Sequence, residues 1–292
     1  HTFSEHKVAG KGSDLRPTDL DEVPECTDCH ADMTTPDGHE GEVVERHIDR
    51  VACQTCHIPV YAKDAADTSS TEATETHRTW LSSHSTNPPY HPAIHTQNDL
   101  MPEYRFWNRT SQNYLLHDVA VVDPVTGRYP TSRPLGDVAD PEGKLYAFKY
   151  KTAEQPFAHD QDKLIALDTS VFFATGDPIA ATEQGLVNMG LSAGEPYSWV
   201  ETDTYQMLNH QVSSESAALE CNDCHGSTGR MDLQGELGYA LKGPQSTVCF
   251  QCHGEKEDKP FITIHDKHVK DKKYDCSWCH GFSRPERNLN MP

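Results

Sequence analysis

Cys53-Gln54-Thr55-Cys56-His57 sets the terms on which this chain is read, because the same grammar recurs four more times. The other copies are Cys26-Thr27-Asp28-Cys29-His30, Cys221-Asn222-Asp223-Cys224-His225, Cys249-Phe250-Gln251-Cys252-His253 and Cys276-Ser277-Trp278-Cys279-His280. Together they use all 10 cysteines of the 292 residues. Cys-x-x-Cys-His is the attachment signature of c-type haem: two thiols form thioethers with the porphyrin vinyl groups, and the adjacent imidazole sits under the iron as proximal ligand. A zinc ribbon also uses paired cysteines, but it leaves five following histidines as a coincidence. With 18 histidines in 292 residues, that coincidence has odds of roughly one in a million. A disulfide framework explains neither the fixed gap nor the histidine, and a thioredoxin-like redox pair is normally single. The expected cofactors are therefore five haems c and their irons, attached through Cys26, Cys29, Cys53, Cys56, Cys221, Cys224, Cys249, Cys252, Cys276 and Cys279. His30, His57, His225, His253 and His280 are the expected proximal ligands.

Thirteen of the 18 histidines lie outside the motifs, against six methionines in all. None of the methionines stands at a repeated distance from a motif. Bis-histidine ligation is the expectation for most irons, giving closed, low-spin centres suited to electron transfer. His47, His210, His265 and His268 lie shortly before a motif and are the first candidates for distal ligands. His39 and His6 flank the first motif and come next. The group from Thr76-His77 through His84, His91-Pro92 and Ile94-His95 reads mainly as a polar, proline-studded loop.

The rest of the composition agrees with a cofactor-built protein. Only 35% of residues are hydrophobic, with 19 prolines and 18 glycines, so the aliphatic core is thin for the length. Buried porphyrins supply apolar volume in its place. The expected fold is mainly irregular, with short α-helices and few short strands, nucleated by haem; a haem-free chain is then expected to be largely unfolded. A net charge of -20 argues against nucleic acid, whose phosphates call for clustered Lys and Arg, and favours steering toward basic partners. No run approaches the roughly 20 apolar residues of a membrane span.

Motif spacings of 27, 28 and 27 residues mark a repeated unit. They divide the chain into an amino-terminal haem cluster (1–60, two motifs), a haem-free, loop-rich middle (61–205) and a carboxy-terminal cluster (206–292, three motifs). In the middle, Asp118 to Val122 and Lys144 to Tyr150 read as strands. Ile179 to Met189, with Asp177-Pro178 before it and Gly190 after, reads as a helix, as does Tyr197 to Val212. Phe106, Trp107, Phe172, Phe173 and Trp199 are expected against porphyrin faces.

Several collinear stretches resemble the octahaem tetrathionate-reductase-type multihaem cytochromes c. They are His47-Ile48-Asp49-Arg50-Val51-Ala52-Cys53-Gln54-Thr55-Cys56-His57-Ile58-Pro59, Pro102-Glu103-Tyr104-Arg105-Phe106-Trp107-Asn108, Lys144-Leu145-Tyr146-Ala147-Phe148-Lys149, Trp199-Val200-Glu201-Thr202 through Asn209-His210, Gly229-Arg230-Met231-Asp232, and Phe282-Ser283-Arg284-Pro285-Glu286. The resemblance implies His47 and His210 as distal ligands and a periplasmic or extracellular electron-transfer setting. It departs where relatives show a histidine after Phe-Lys, since this chain has Tyr150. It also departs in number, since the family carries eight haems and five motifs stand here. The stretch His1-Thr2-Phe3-Ser4-Glu5-His6-Lys7 looks like the segment after Cys-x-x-Cys in relatives, so a sixth haem shared with or lost from the amino-terminal side stays open. Haem attachment requires export, so a signal peptide is expected to have been removed.

The expected function is single-electron transfer along a chain of haems to redox partner proteins or extracellular acceptors. Spare histidines such as His1 and His6 raise self-assembly into filaments, which heterologous interfaces produce when they do not close. The alternative is a reductase acting on tetrathionate, nitrite or hydroxylamine at one haem with an open coordination position.

Overall fold

The computed structural model describes residues 26–30, 39, 47–62, 73–209, 212–225, 229–254, 259–284 and 289–291. Its centre is a mixed sheet of eight strands: β1 (Thr74–Ser83), β2 (Pro92–Gln97), β3 (Glu103–Trp107), β4 (Ser111–Asn113), β5 (Tyr129–Pro134), β6 (Lys144–Ala158), β7 (Lys163–Leu164) and β8 (Tyr197–Met207). The main path runs β2-β1-β6-β8-β5-β4, and β3 and β7 also pair with β6. β6, at 15 residues, organises the sheet. β8 runs antiparallel along one edge of β6 from Phe148↔Met207 to Ala158↔Tyr197. The other edge is shared by β3, antiparallel through Tyr104↔Ala147, and then by β1, parallel through Arg78↔Ala153.

This sheet corrects the expectation of a mainly irregular fold with few short strands. The middle segment is rich in Tyr, Phe, Val and Thr, whose branched or flat side chains fit a pleated, half-buried surface. These residues pack on one another. Trp107 lies with Tyr146, Phe148 and Tyr205, Phe172 with Trp80 and Ala181, and Phe157 with Ala120 and Leu164. Phe173 and Trp199 pack against the Phe172 group, and Phe106 joins Ile58, Tyr61 and Leu145. Aromatic residues expected against porphyrins thus build an ordinary protein core.

Two local readings change with it. Tyr197 to Val212 reads as a helix in isolation, but Tyr197–Met207 is strand β8; its long pairing with β6 outweighs local propensity. Asp118 to Val122 is no strand, and its backbone is held instead by a turn, Asp118 N–H to Leu115 O (3.0 Å), and by a long-range bond, Ala120 N–H to Asp162 O (2.7 Å). Other readings hold. Lys144 to Tyr150 is the first half of β6. The helix Pro178–Asn188 starts where Asp177 accepts from the Ile179 and Ala180 N–H groups, as an N-cap carboxylate does. Its Gly185 lies so close to the segment before it that an added Cβ would stand 2.5 Å from the Ala166 carbonyl oxygen. Glycine is required there for contact rather than for conformation.

One buried ion pair locks β5 to β8. The Asp203 side chain is fully buried and accepts from Arg133 Nη2 (2.5 Å) and from the Tyr150 hydroxyl (3.0 Å). Arg133 also pairs with Asp123.

Candidate functional site

Each motif is a single tight turn. The histidine N–H returns to the carbonyl of the first cysteine: His30 to Cys26 (2.9 Å), His253 to Cys249 (3.0 Å) and His280 to Cys276 (2.8 Å). In helical geometry positions i, i+3 and i+4 share a face, so in the helical motifs Cys53–His57 and Cys221–His225 both thiols and the imidazole share one side. The motif Cys53–His57 is helical and docks on the start of β6. Its Thr55 is buried and donates from Oγ1 to Leu145 O (2.7 Å), while the Ala52 N–H donates to the same oxygen (2.9 Å). Just before it, buried Arg50 donates to Val138 O (3.0 Å), Asp140 O (2.8 Å) and Pro141 O (3.0 Å). Beyond it, His57 O accepts from Ser213 N–H (2.7 Å), Cys56 O from Leu219 N–H (3.0 Å), and Pro59 O from Arg230 Nη1 (2.5 Å). The second motif is therefore laced to the chain leading into the third.

The thiols report the same adjacency. Burial, then the neighbouring Cys224, Cys53 and Cys221, push the Cys56 thiol up to about 11. Burial, then Cys249 and Cys252, raise that of Cys279. The second and third motifs are thus neighbours across the long middle segment, and so are the fourth and fifth. The last motif is anchored by buried Asp275, which accepts from Ser277 N–H (2.8 Å) and the Ser283 hydroxyl (2.8 Å).

Four motif histidines each face a second imidazole. Ring centroids stand 5.9 Å apart for His57 and His39, 5.9 Å for His225 and His47, 5.8 Å for His253 and His268, and 6.2 Å for His280 and His265. Two imidazoles bound to one metal from opposite sides, each through a bond of about 2.0–2.1 Å, have centroids roughly 6 Å apart. The residues present therefore fit an iron held between two histidines. Burial lowers the pKa values of His225, His265 and His280, keeping a lone pair free for coordination. A backbone carbonyl near one ring nitrogen orients three of the rings: His280 Nδ1 to Tyr239 O (2.9 Å), His265 Nδ1 to Phe261 O (2.8 Å) and His268 Nδ1 to Ile264 O (2.9 Å). Such outer contacts fix tautomer and direction. Among the described residues no three or more His, Cys, Asp and Glu side chains gather as they would round a structural zinc. The nine cysteines whose side chains are described form no disulfide.

The pairing crosses the chain in a way spacing does not announce. His47 precedes the second motif but faces the histidine of the third, and His39 faces that of the second. His265 and His268 lie on one continuous helical run, Phe261–His265 passing into the π-helical turn Asp266–Asp271, and serve different motifs. His1, His6 and His210 lie outside the described residues. The remaining histidine group forms two pairs on the β1–β2 hairpin, His77 with His95 (5.8 Å) and His84 with His91 (5.9 Å). Arg50, Thr55 and Arg230, which position the motifs, carry no signal in the sequence, because their partners are backbone carbonyls of distant segments.

Repeated Cys-x-x-Cys-His turns, facing imidazoles and a supporting sheet together define a multihaem c-type cytochrome. The chain belongs to the bacterial cytochrome c family, whose model matches residues 66–228. Residues 1–58 match the family of cytochrome c554 and c-prime, and residues 210–258 match the doubled CXXCH motif. The fold is similar to the crystal structure of octaheme cytochrome c from Shewanella oneidensis, with a TM-score of 0.63 and 26% identity over 88% of this chain and 59% of that one. The chain thus spans about three fifths of that protein's length, and the resemblance to octahaem cytochromes holds. No curated protein matches. Among the described residues no helix is long and apolar enough to cross a membrane.

Proposed function

We propose that this cytochrome transfers single electrons along five haems c, one at each motif, most of them bis-histidine ligated. In this reading His57 and His39, His225 and His47, His253 and His268, and His280 and His265 each hold one iron, and His30 holds the fifth. His6 and His210 are the candidates for its second ligand. The haems supply reversible one-electron chemistry. The ten cysteines would tether the haems, and the paired imidazoles would occupy the coordination positions that a substrate would need. The observation that carries the reading is that four Cys-x-x-Cys-His histidines are each faced by a second imidazole at 5.8 to 6.2 Å; the hairpin pairs His77–His95 and His84–His91 share the separation but contain no motif histidine.

Export to the periplasm or cell exterior is required by the chemistry of attachment, and the acidic surface suits partners with a basic face. The reductase reading requires one open iron. Pyridine haemochrome counting and electron paramagnetic resonance of the oxidised holoprotein decide: five haems per chain with low-spin signals throughout support the wire. A high-spin ferric signal of about one haem in five would move the assignment to a reductase. Assembly into filaments is tested apart from this, by electron microscopy of the holoprotein.

A further inference from the structure

The Phe261 ring stacks on His225 at 4.3 Å between centroids and 19° between planes, and on His265 at 3.9 Å and 31°. These two imidazoles belong to different pairs, His47 with His225 and His265 with His280. The Phe261 backbone contributes as well: Phe261 O accepts from His265 Nδ1 at 2.8 Å, one helical turn on, so that the residue touching the His265 face also fixes that ring's rotation. Phe261 thus bridges two imidazoles, one from each pair.

We infer that Phe261 is a positioning residue that joins the third and fifth haem sites directly and sets the orientation of one axial imidazole at each. The inference rests on the ligand assignment proposed above. In the transfer it would serve, one electron would pass from a ferrous haem held by His47 and His225, leaving it ferric, to a ferric haem held by His265 and His280, leaving it ferrous. No bond forms or breaks, no proton moves, and the Phe261 ring is neither oxidised nor reduced; it supplies continuous van der Waals contact where solvent would otherwise enter. The fourth site, His253 with His268, is joined to the fifth through the helical run that carries both His265 and His268.

The test compares Phe261→Leu, which keeps apolar bulk without a ring, with Phe261→Tyr, which keeps the ring, both as five-haem holoprotein. Two readouts are taken: the g-values of the low-spin ferric signals, which report axial-ring orientation, and the rate of electron redistribution among haems after flash photoreduction. Phe261→Leu is expected to shift two of the low-spin signals and slow one redistribution phase severalfold, with Phe261→Tyr close to wild type in both. Haem content and the Soret spectrum establish that each variant is folded and loaded. Unchanged signals and rates in Phe261→Leu would overturn the inference while leaving the wire intact. Failure of the underlying reading shows differently: wild-type protein would then lack low-spin signals, or His265→Ala would leave them all unaltered.

Discussion

His47 and His225 face each other at 5.9 Å with ring planes 80° apart, although most of the chain lies between them. Replacing His47 by alanine removes one axial ligand and leaves His225 in place. One haem is expected to become high-spin while haem content stays at the wild-type value, and exogenous imidazole should restore the low-spin signal. His77→Ala, on the β1–β2 hairpin, should leave the spectrum unchanged. A wholly low-spin His47→Ala spectrum would remove this pair from the assignment.

Asp203 is fully buried, and its carboxylate is met by Arg133 and by the Tyr150 hydroxyl. Burial, then the Asp203 charge, push the Tyr150 phenol up to about 12, so it remains a donor at any working pH. Taking one partner from a buried pair costs about 3–5 kcal/mol where the other charge is left uncompensated; Arg133 keeps Asp123 as a partner here, so the expected cost is about 1–3 kcal/mol, from the weakened pairing and the unmet Tyr150 hydroxyl. Asp203→Ala is expected to lose stability in that range in guanidinium unfolding followed by far-UV circular dichroism, with the haem spectrum of the native state unchanged. Asp203→Asn should lose less, since a carbonyl oxygen still accepts from Tyr150. A loss below about 1 kcal/mol for the alanine variant, the level of an exposed pair, would show that the site is solvated.

Asp168 caps the helix Thr169–Thr175 and is held at about 2, below the usual carboxylate range, by the Ser170 hydroxyl first, then the Val171 N–H and the Asn188 amide. A depressed carboxyl adds stability that is complete above its unfolded pKa and is lost as pH falls toward the folded one. The melting temperature of wild type should therefore exceed that of Asp168→Ala by a constant margin from pH 7 to about pH 5. Below about pH 4 the margin should shrink steadily. A margin that grows on acidification would contradict the capping role.

Contiguous chemistry was legible in the sequence. Haem attachment needs two thiols and an imidazole within one turn, so the motifs stand out, and Asp177-Pro178 marks its helix because an N-cap acts on the residues just after it. The distal histidines are legible as a set from their excess over any other use. Their pairing is not, because His47 meets His225 only after the Ala52–Thr55 turn has docked on Leu145 and residues 213–219 have docked on the second motif. The sheet escaped for a related reason. β8 finds its hydrogen bonds on β6, across a turn, the short strand β7 and two helices, and nothing inside Tyr197–Met207 announces that partner.

The sheet gives the haem-free chain a source of order that the expectation of a largely unfolded chain leaves out. Several of its buried groups touch no motif: Phe157 with Leu164 and Ala120, Trp80 with Phe172 and Ala181, and Leu186 with Ala158 and Ile165. β6 and β8 pair over 11 positions from Phe148↔Met207 to Ala158↔Tyr197, independently of any cysteine. Burying a large apolar side chain contributes about 1.5–3 kcal/mol, and these clusters contain many, so the middle of the chain has a source of stability that haem does not provide. A full-length variant with all ten cysteines changed to alanine is expected to keep a strand-type far-UV spectrum and one cooperative melt, with the helical signal of the motif turns reduced. Hydrogen exchange should show the slowest amides in β6 and β8 and little protection at residues 221–225 and 245–253. A coil-like spectrum without a cooperative transition would mean that haem insertion is needed before these strands can pair.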